Sequence, residues 1–260
     1  MAKTGKLLLI FMLVLCLASC GKGTNSGTGS SRPVITVGSE DYPPFIDLDN
    51  NGDPTGLDMD ILKEAFDRVG YDIRFVTISW EGKDELLASG EVDCVTGGFT
   101  VEGREEDYLW IGPYVSSNQV LVVNSGSDIR SLQDLKGKTV AVQAASVAES
   151  VLLGQGNSDI QVLSFEDNML PFAALGSDYV DALVADEPVV VRYMKDYDTT
   201  FTILDEPVLY ASVGTAFAKD GDAELCTKVN AAIDEMREDG TLQEIIGGYL
   251  EAEGGESLEK

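Results

Sequence analysis

Short apolar runs and amphipathic segments alternate along most of this chain, and this alternation constrains the fold more than any other feature of the sequence. Apolar runs bounded by turn residues indicate buried strands, and apolar residues at helical spacing indicate helices. The runs that predict strands are residues 34–37, 73–78, 92–96, 139–142, 160–163 and 180–184. The segments that predict helices are residues 57–69, 83–88, 147–153, 169–175 and 188–193. This order predicts an α/β fold with largely parallel sheets.

A short internal similarity suggests two lobes. The sequence SGEVD at residues 89–93 precedes an apolar run, and SDYVD at residues 177–181 precedes another. Likewise, ITV at residues 35–37 opens the first half of the pattern, and KTV at residues 138–140 opens the second. We therefore expect two lobes of related structure.

The N-terminus has the layout of a secretory signal. Lys3 and Lys6 come before an apolar run at residues 7–17, which the sequence LASC ends at residues 17–20. The run is too short to cross a bilayer comfortably, because a spanning helix needs about 20 apolar residues. The LASC sequence resembles a bacterial lipobox, which implies cleavage before Cys20 and a lipid on its sulfur.

Composition excludes several classes of function. The chain has 45 acidic and 18 basic residues and a net charge of −27, so it lacks the basic footprint of a nucleic-acid-binding protein. It has no histidine, which excludes Ser-His-Asp and Cys-His catalysis as usually built, and histidine zinc sites. Besides Cys16 and Cys20, the chain has Cys94 and Cys226, which form either one disulfide or two buried free thiols. We expect no metal and no cofactor.

One acidic stretch nearly spells a calcium-binding loop. It runs through DLDNNG at residues 47–52, with Asp58 at the twelfth position. Prolines before and within the stretch break the loop pattern, so we predict a hairpin turn around Asn51 and Gly52 instead. The acidic pairs nearby are interpreted as solvated faces rather than acid–base pairs: Asp58 with Asp60, and Glu105 with Glu106.

Ligands of parallel α/β proteins sit beyond the carboxyl ends of the strands, so the residues after each predicted strand are the first candidates for a site. These segments are residues 39–45, 78–80, 97–104, 143–147 and 185–187. Together they hold two aromatic residues, one arginine, hydroxyls and acids. That set suits a small zwitterionic ligand.

Seven stretches of the sequence are distinctive when taken together. They are VGSEDYPPF (37–45), GLDMDILKEAF (56–66), SGEVDCVTGGFT (89–100), IGPYVSSNQVLVV (111–123), LQDLKGKTVAVQ (132–143), VDALVADEP (180–188) and DGTLQEIIGGYL (239–250). In order and spacing they resemble the family 3 extracellular solute-binding proteins, the polar amino-acid receptors of ABC importers. The resemblance covers residues 33–250.

The resemblance implies a two-lobed clamshell, the type II fold of periplasmic binding proteins, which closes around its ligand by hinge motion. Its hinge would consist of two crossing segments, near Gln119 and Val213. The predicted organisation is a lipoprotein signal peptide at 1–19, a flexible linker at 20–32, lobe 1 at 33–118 plus 213–250, lobe 2 at 119–212, and a polar tail at 251–260.

The function implied by the resemblance is that of the extracellular substrate-binding component of an ABC importer. A polar or cationic L-amino acid would bind in the cleft between the lobes. The other partner would be an ABC permease in the membrane. The exported protein would act as a monomer, held by the lipid on Cys20 to the outer face of the cell membrane, which is the periplasmic side in a cell with two membranes.

The resemblance also assigns the charged ends of the ligand to different lobes. Arg104 matches the arginine that grips the α-carboxylate through two charge-assisted bonds. Thr100 matches the hydroxyl that adds a third bond, although it lies four residues before Arg104 where the family usually has five. Gly98 would let the backbone approach the ligand. Asp186 matches the aspartate that holds the α-ammonium, and its place before a predicted helix also makes it a candidate N-cap.

The remaining matches surround the ligand side chain. Tyr42 and Trp80 match aromatic walls, and Ser146 matches a lobe 2 loop at a helix start. The position that faces the ligand side chain falls on Ser39 or Glu40, and an inward Glu40 would favour a cationic or amide side chain. The predicted ligand-binding residues are Glu40, Tyr42, Trp80, Gly98, Thr100, Arg104, Ser146 and Asp186.

Two other functions fit parts of this pattern. A tethered sensor would present the amino acid to a signalling receptor instead of a permease. An enzyme is the second alternative, because the fold also occurs in cyclohexadienyl-dehydratase-like enzymes that act on cyclic carboxylates. Such a substrate needs no ammonium partner like Asp186, so we expect no enzymatic activity and predict no catalytic residue.

Overall fold

The computed structural model describes residues 32–154 and 159–250. The predicted signal peptide, Cys20, the linker up to residue 31 and the polar tail lie outside the described residues. None of the helices in these two ranges has the length and hydropathy needed to span a membrane.

Strands and helices alternate through the described residues. The strands are β1 (Val34–Ser39), β2 (Asp47–Leu48), β3 (Pro54–Thr55), β4 (Asp72–Thr77), β5 (Cys94–Thr100), β6 (Tyr108–Ser116), β7 (Gln119–Asn124), β8 (Thr139–Gln143), β9 (Gln161–Phe165), β10 (Ala182–Asp186), β11 (Phe201–Ile203) and β12 (Ser212–Ala218). The helices are α1 (Leu57–Arg68), α2 (Lys83–Ser89), α3 (Val147–Gly154), α4 (Leu170–Gly176), α5 (Glu187–Asp196), α6 (Ala223–Asp239) and α7 (Thr241–Leu250).

Ten of the twelve described strands form two five-stranded sheets, each the centre of one lobe, and β2 and β3 form a separate two-stranded sheet. The first sheet has the order β4-β1-β5-β12-β6, with β1 parallel to β4 and β5, and β12 antiparallel to β5 and β6. The second has the order β11-β7-β10-β8-β9, with β8 parallel to β9 and β10, and β7 antiparallel to β10 and β11. Helices α1, α2, α6 and α7 belong to the first lobe, and α3, α4 and α5 to the second.

The predicted α/β class and the two lobes are confirmed, and the five predicted helices are present with ends shifted by up to three residues. The expectation of largely parallel sheets is wrong, because both sheets are mixed. The antiparallel strands are the ones next to the crossings between lobes. Strand β6 leads out of the first sheet and β12 returns to it, while β7 enters the second sheet and β11 precedes the return.

The two crossing segments pair with each other. The N–H of Ser117 donates to the carbonyl of Ala211 at 2.8 Å, and the N–H of Gln119 donates to the carbonyl of Leu209 at 3.0 Å. The carbonyl of Gln119 in turn accepts the N–H of Val208 at 2.8 Å. This short antiparallel ladder connects the lobes at the place where the hinge is expected. The residue boundaries of the lobes stay a prediction.

The hairpin predicted around Asn51 and Gly52 is present, since β2 and β3 pair antiparallel. Gly52 has a φ of +82°, a conformation that favours glycine. The Asp49 carboxylate accepts the N–H groups of Asn51 at 2.7 Å and Asp53 at 2.9 Å, which holds the turn. Asp49 of the calcium-like pattern therefore serves a turn.

Helix α1 starts where the chain passes very close to the backbone of Phe45. Gly56 precedes it with a φ of +109°, and a Cβ at this position would lie 2.5 Å from the carbonyl oxygen of Phe45. The helix buries Ile61, Leu62 and Phe66 against the first sheet, and each such side chain contributes about 1.5–3 kcal/mol. The same start turns Asp58, in the first helical turn, toward the interior.

Candidate functional site

A cavity lies between the two lobes, where the ends of β1, β5, β8 and β10 meet. All five segments predicted from the strand ends contribute to its lining. The cavity is lined by all eight predicted residues: Glu40, Tyr42, Trp80, Gly98, Thr100, Arg104, Ser146 and Asp186. Both lobes contribute to this lining, and the ligand-binding roles of these residues stay predictions.

Direct side-chain contacts hold the closed arrangement. Each joins a residue of the first lobe to one of the second: Tyr42 to Asp186, Glu40 to Gln143, the carbonyl of Asp41 to Asn168, and Asp47 to Arg192. These bonds connect the two lobes around the cavity.

Asp186 is the last residue of β10 and directs its carboxylate into the cavity. It occupies the N-cap position of α5, yet its side chain makes no capping hydrogen bond. Instead Oδ1 accepts the Ser117 hydroxyl at 2.6 Å, and Oδ2 accepts the Tyr42 hydroxyl at 3.0 Å. Burial raises the pKa of Asp186 to about 6, against the opposing effect of hydrogen bonds from Ser117, Gln119 and Tyr42. Asp186 is thus the N-cap residue by position, as predicted, but its side-chain oxygens bind groups of the cleft and do not cap the helix.

Arg104 lies in the loop after β5 and reaches toward the second lobe. Its guanidinium carbon lies 5.2 Å from the centre of the Phe99 ring, and Nη2 donates to the carbonyl of Ala145 at 3.1 Å. Burial lowers the pKa of Arg104, but arginine stays charged in proteins. The indole N–H of Trp110 donates to the Arg104 carbonyl at 3.3 Å and so holds the loop. The planar fork is held at the cavity wall by an aromatic face.

Gly98 is part of the cavity wall and packs closely against the rings of Phe45 and Tyr42. Its φ is +66°, and a Cβ there would lie 2.9 Å from the Phe45 ring and 3.0 Å from the Tyr42 ring. Only glycine fits both the conformation and the space. Thr100 ends the same strand, is buried and lines the cavity.

The Asp58 carboxylate binds the backbone of Gly97 and Gly98, which are part of the cavity wall. Its Oδ2 accepts the N–H of Gly97 at 2.9 Å, the N–H of Gly98 at 3.0 Å and the Thr96 hydroxyl at 3.0 Å. Burial raises the pKa of Asp58 to about 6, and these hydrogen bonds oppose the rise. The interpretation of Asp58 as part of a solvated face is thus wrong, because the residue is fully buried. It is a positioning residue for the cavity wall.

Replacing Asp58 tests this role. Asp58→Ala leaves two backbone N–H groups without their acceptor, and each unsatisfied buried donor costs about 1–3 kcal/mol, so the free energy of unfolding should fall by about 2–6 kcal/mol. Asp58→Asn keeps an acceptor oxygen and should lose less than half as much. Urea unfolding of both variants measures the difference, and equal losses would contradict the positioning role.

Tyr42 and Trp80 supply aromatic surface to the cavity, as the sequence predicts. Trp80 also packs edge-on against Phe99, with ring centres 4.8 Å apart, so it serves the core and the cavity at once. Tyr42 uses its hydroxyl on Asp186, a bond that the sequence did not indicate. The second lobe adds Phe172 of α4 to the lining.

Glu40 lies inside the cavity, and Ser39 does not. Ser39 is buried in the sheet, where its hydroxyl donates to the carbonyl of Thr96 at 2.8 Å. The Glu40 carboxylate accepts the side-chain amide of Gln143. Burial raises the pKa of Glu40, while hydrogen bonds from Gln143 and Asn168 oppose the rise. Of the two alternatives left by the sequence, the structure therefore favours Glu40.

Ser146 lines the cavity at the start of α3 and has a capping role. Its hydroxyl oxygen accepts the N–H of Glu149 at 3.1 Å, and the Glu149 carboxylate accepts the N–H of Ala145 at 2.8 Å. This reciprocal arrangement resembles a capping box, which orders the first turn of a helix. The Ser146 side chain thus fixes the loop that borders the cavity.

Sequence reasoning did not assign several residues of the lining: Gln119, Gln143, Asn168 and Phe172. Gln143 begins one of the segments predicted from the strand ends, so the segment was right although the residue was not named. Asn168 lies in a loop after β9, where nothing in the sequence pattern marks it. The two remaining cysteines, Cys94 and Cys226, are buried free thiols, and burial raises the pKa of both.

Comparison with known proteins places the chain among relatives of this architecture. Residues 35–252 match the family model described as bacterial extracellular solute-binding proteins, family 3. The chain is 29% identical over 255 residues to the probable amino-acid-binding protein YxeM of Bacillus subtilis (strain 168), with 95% of each chain covered. It is 31% identical over 246 residues to the arginine-binding extracellular protein ArtP of the same organism, with 92% of this chain and 94% of ArtP covered.

A solved structure of an ancestral arginine-binding protein bound to arginine has the same fold. It superimposes with a TM-score of 0.76 and 33% sequence identity, over 84% of this chain and 98% of the other. The family match spans most of the chain and includes every residue of the cavity lining. The chain therefore belongs to the bacterial extracellular solute-binding proteins of family 3.

Proposed function

We propose that the solute bound by this protein is a polar or cationic L-amino acid, held in the cavity between the lobes. One observation carries the proposal: a buried carboxylate on the second lobe, Asp186, and a guanidinium on the first, Arg104, line the same closed cavity. A zwitterion carries the complementary pair of charges at a fixed separation.

In this proposal each lobe binds one charged end of the ligand. Arg104 holds the α-carboxylate through two parallel charge-assisted bonds, and the Thr100 hydroxyl adds a third. Asp186 accepts the α-ammonium, whose N–H donors replace the hydrogen bond from Tyr42. Because the two partners belong to different lobes, a ligand with both charges stabilises the closed form more than a ligand with one.

The side chain of the ligand lies toward Glu40, Gln143 and Asn168. A buried carboxylate is stabilised by a cationic or amide group that donates hydrogen bonds to it. Tyr42, Trp80 and Phe172 supply the apolar walls of the same space. This combination favours polar and cationic side chains over aliphatic ones.

Delivery to an importer completes the proposal. The protein is exported, is anchored by a lipid on Cys20 to the outer face of the cell membrane, and hands the amino acid to an ABC permease that binds the closed form. The ligand leaves unchanged.

A thermal-shift screen of the purified protein against the twenty amino acids, cystine and ornithine tests the function. A ligand at 100 times its dissociation constant stabilises the folded state by about 2.7 kcal/mol, which is an easily measured rise in melting temperature. We expect a rise with one or a few polar or cationic L-amino acids, and none with their D-enantiomers. Mass spectrometry of the recovered ligand should find it unaltered. A flat profile across the whole panel would contradict the proposal.

A further inference from the structure

Lys83 is a buried cation that neither the resemblance nor the cavity lining accounts for. It is the first residue of α2 and is only 3% exposed. Its ammonium lies 5.0 Å from the centre of the Trp80 ring and 5.9 Å from the centre of the Phe99 ring. Trp80 also lines the cavity, and the Phe99 ring lies against the Arg104 guanidinium. Lys83 therefore lies directly beside the proposed carboxylate site.

The hydrogen-bond partners of Lys83 are poor for a buried charge. Nζ lies 3.4 Å from the carbonyl oxygen of Ala145, a long bond. The carboxylate of Asp84 lies 4.0 Å away, is largely exposed to solvent, and accepts the Tyr108 hydroxyl instead. Burial lowers the pKa of Lys83, the charge of Asp84 opposes this effect, and the charge of Arg104 adds to it. Burying a charged group costs free energy unless the charge is closely paired and hydrogen-bonded. The partners of this ammonium are too distant to compensate fully for its burial.

Two cations converge on one oxygen. The Ala145 carbonyl accepts Arg104 Nη2 at 3.1 Å and Lys83 Nζ at 3.4 Å. Ala145 has a φ of +56°, an uncommon conformation for a residue with a side chain, and it belongs to the loop that starts α3. Arg104 and Lys83 come from the first lobe and Ala145 from the second. A single neutral oxygen thus occupies the point where two positive charges meet across the cleft.

We propose that Lys83 binds the same ligand carboxylate as Arg104, so that two cations hold it. This inference rests on the proposed function, and it adds a binding residue to that site. The carboxylate takes the place of the Ala145 carbonyl between the two cations. One of its oxygens accepts the arginine fork and the other the ammonium. Glu40 and Glu149 also face Lys83 electrostatically, but both have closer partners in Gln143 and in the N–H of Ala145.

The test compares the amino acid found by thermal shift with its carboxamide, in which the carboxylate is neutral. Affinities of both compounds are measured by calorimetry for the unsubstituted protein, for Lys83→Met and for Lys63→Met. Methionine preserves much of the alkyl stem of lysine without its charge. Lys63 is the matched control, because it is an exposed lysine of the same lobe.

We expect Lys83→Met to weaken binding of the acid about tenfold or more, the loss of one charge-assisted bond, with less than a twofold change for the amide. Lys63→Met should change neither affinity. An equal loss for acid and amide would overturn the inference, since it would assign Lys83 to the packing of Trp80 or to closure. Unchanged affinities would also overturn it. Failure of the unsubstituted protein to bind any amino acid would instead overturn the proposed function.

A measurement on the unsubstituted protein keeps the test independent of folding in the variants. The Nζ resonance of Lys83 is followed by NMR during titration with the acid and with the amide. A shift of this resonance with the acid that is absent with the amide supports direct contact. Equal responses to both compounds would contradict it.

Discussion

Replacing Arg104 by alanine should weaken binding of the L-amino acid about 30- to 5,000-fold, because removing one partner of a buried charge pair costs about 2–5 kcal/mol. Arg104→Lys keeps the charge but loses the planar fork, so it should recover only part of the affinity. Calorimetric titration measures both. The ligand-free protein should change little in stability, because burial of the guanidinium opposes its bond to Ala145.

The matched control for Arg104 is Arg237→Ala. Arg237 is an exposed arginine of α6 that pairs with Asp234 on its own helix. Its replacement should leave the affinity unchanged. If Arg104→Ala and Arg237→Ala bind the ligand equally well, the carboxylate is held elsewhere, and the proposed orientation of the ligand is wrong.

Asp186 should make ligand affinity fall in acid. An α-ammonium is held by the ionised carboxylate, and the pKa of Asp186 in the folded protein is about 6. Below pH 6 the ligand must compete with a proton, so affinity should drop about tenfold for each further pH unit. Binding near pH 6 should release protons, which calorimetry in buffers of different ionisation enthalpy detects. Asp186→Asn should bind weakly at every pH and show no such release.

The stability of the ligand-free protein should follow the opposite trend. The pKa values of Asp58 and Asp186 are both about 6, raised by burial above the ordinary value for aspartate. A carboxyl with a raised folded-state pKa stabilises the fold fully below its unfolded pKa near 4, and this contribution is lost as the pH rises through about 6. The contribution is at most about 3 kcal/mol for each group. Asp186→Asn should remove its share of this dependence. A ligand-free protein more stable at pH 7 than at pH 5 would contradict the assignment.

The periodicity of apolar residues in the sequence predicted much of the fold, because the predicted helices and strands bury the apolar residues of their own segments. Helix α1 shows this well, since its apolar stripe predicted both its face and its end near Gly70. Strands β6 and β12 were missed for a physical reason. Glycine and proline interrupt β6 at Gly112 and Pro113, and β12 is rich in small residues. Their place in the sheet is set by pairing with each other across about a hundred residues, which no local pattern contains.

The sequence predicted those residues of the site that follow the end of a recognisable strand. Arg104 and Asp186 were found because each follows a recognisable strand and carries the charge that a zwitterion needs. Asp58 was not, because its burial depends on the N–H groups of Gly97 and Gly98, about forty residues away. Lys83 was missed for a related reason. A lysine at a helix start ordinarily faces solvent, and only the approach of Ala145 from the other lobe encloses it.

The strand order also bears on the sequence of events during folding. All five strands of the second sheet lie within one continuous stretch, from β7 to β11. The first sheet has β12 as an inner strand between β5 and β6, and β12 comes after the whole second lobe in the chain. During synthesis the N-terminal part of a chain emerges first. The second lobe can thus be complete while the first sheet still lacks its inner strand β12. Contacts distant in sequence form slowly, so insertion of β12 is the natural late step of assembly. The Arg104 side of the cleft, which borders β12, would mature last.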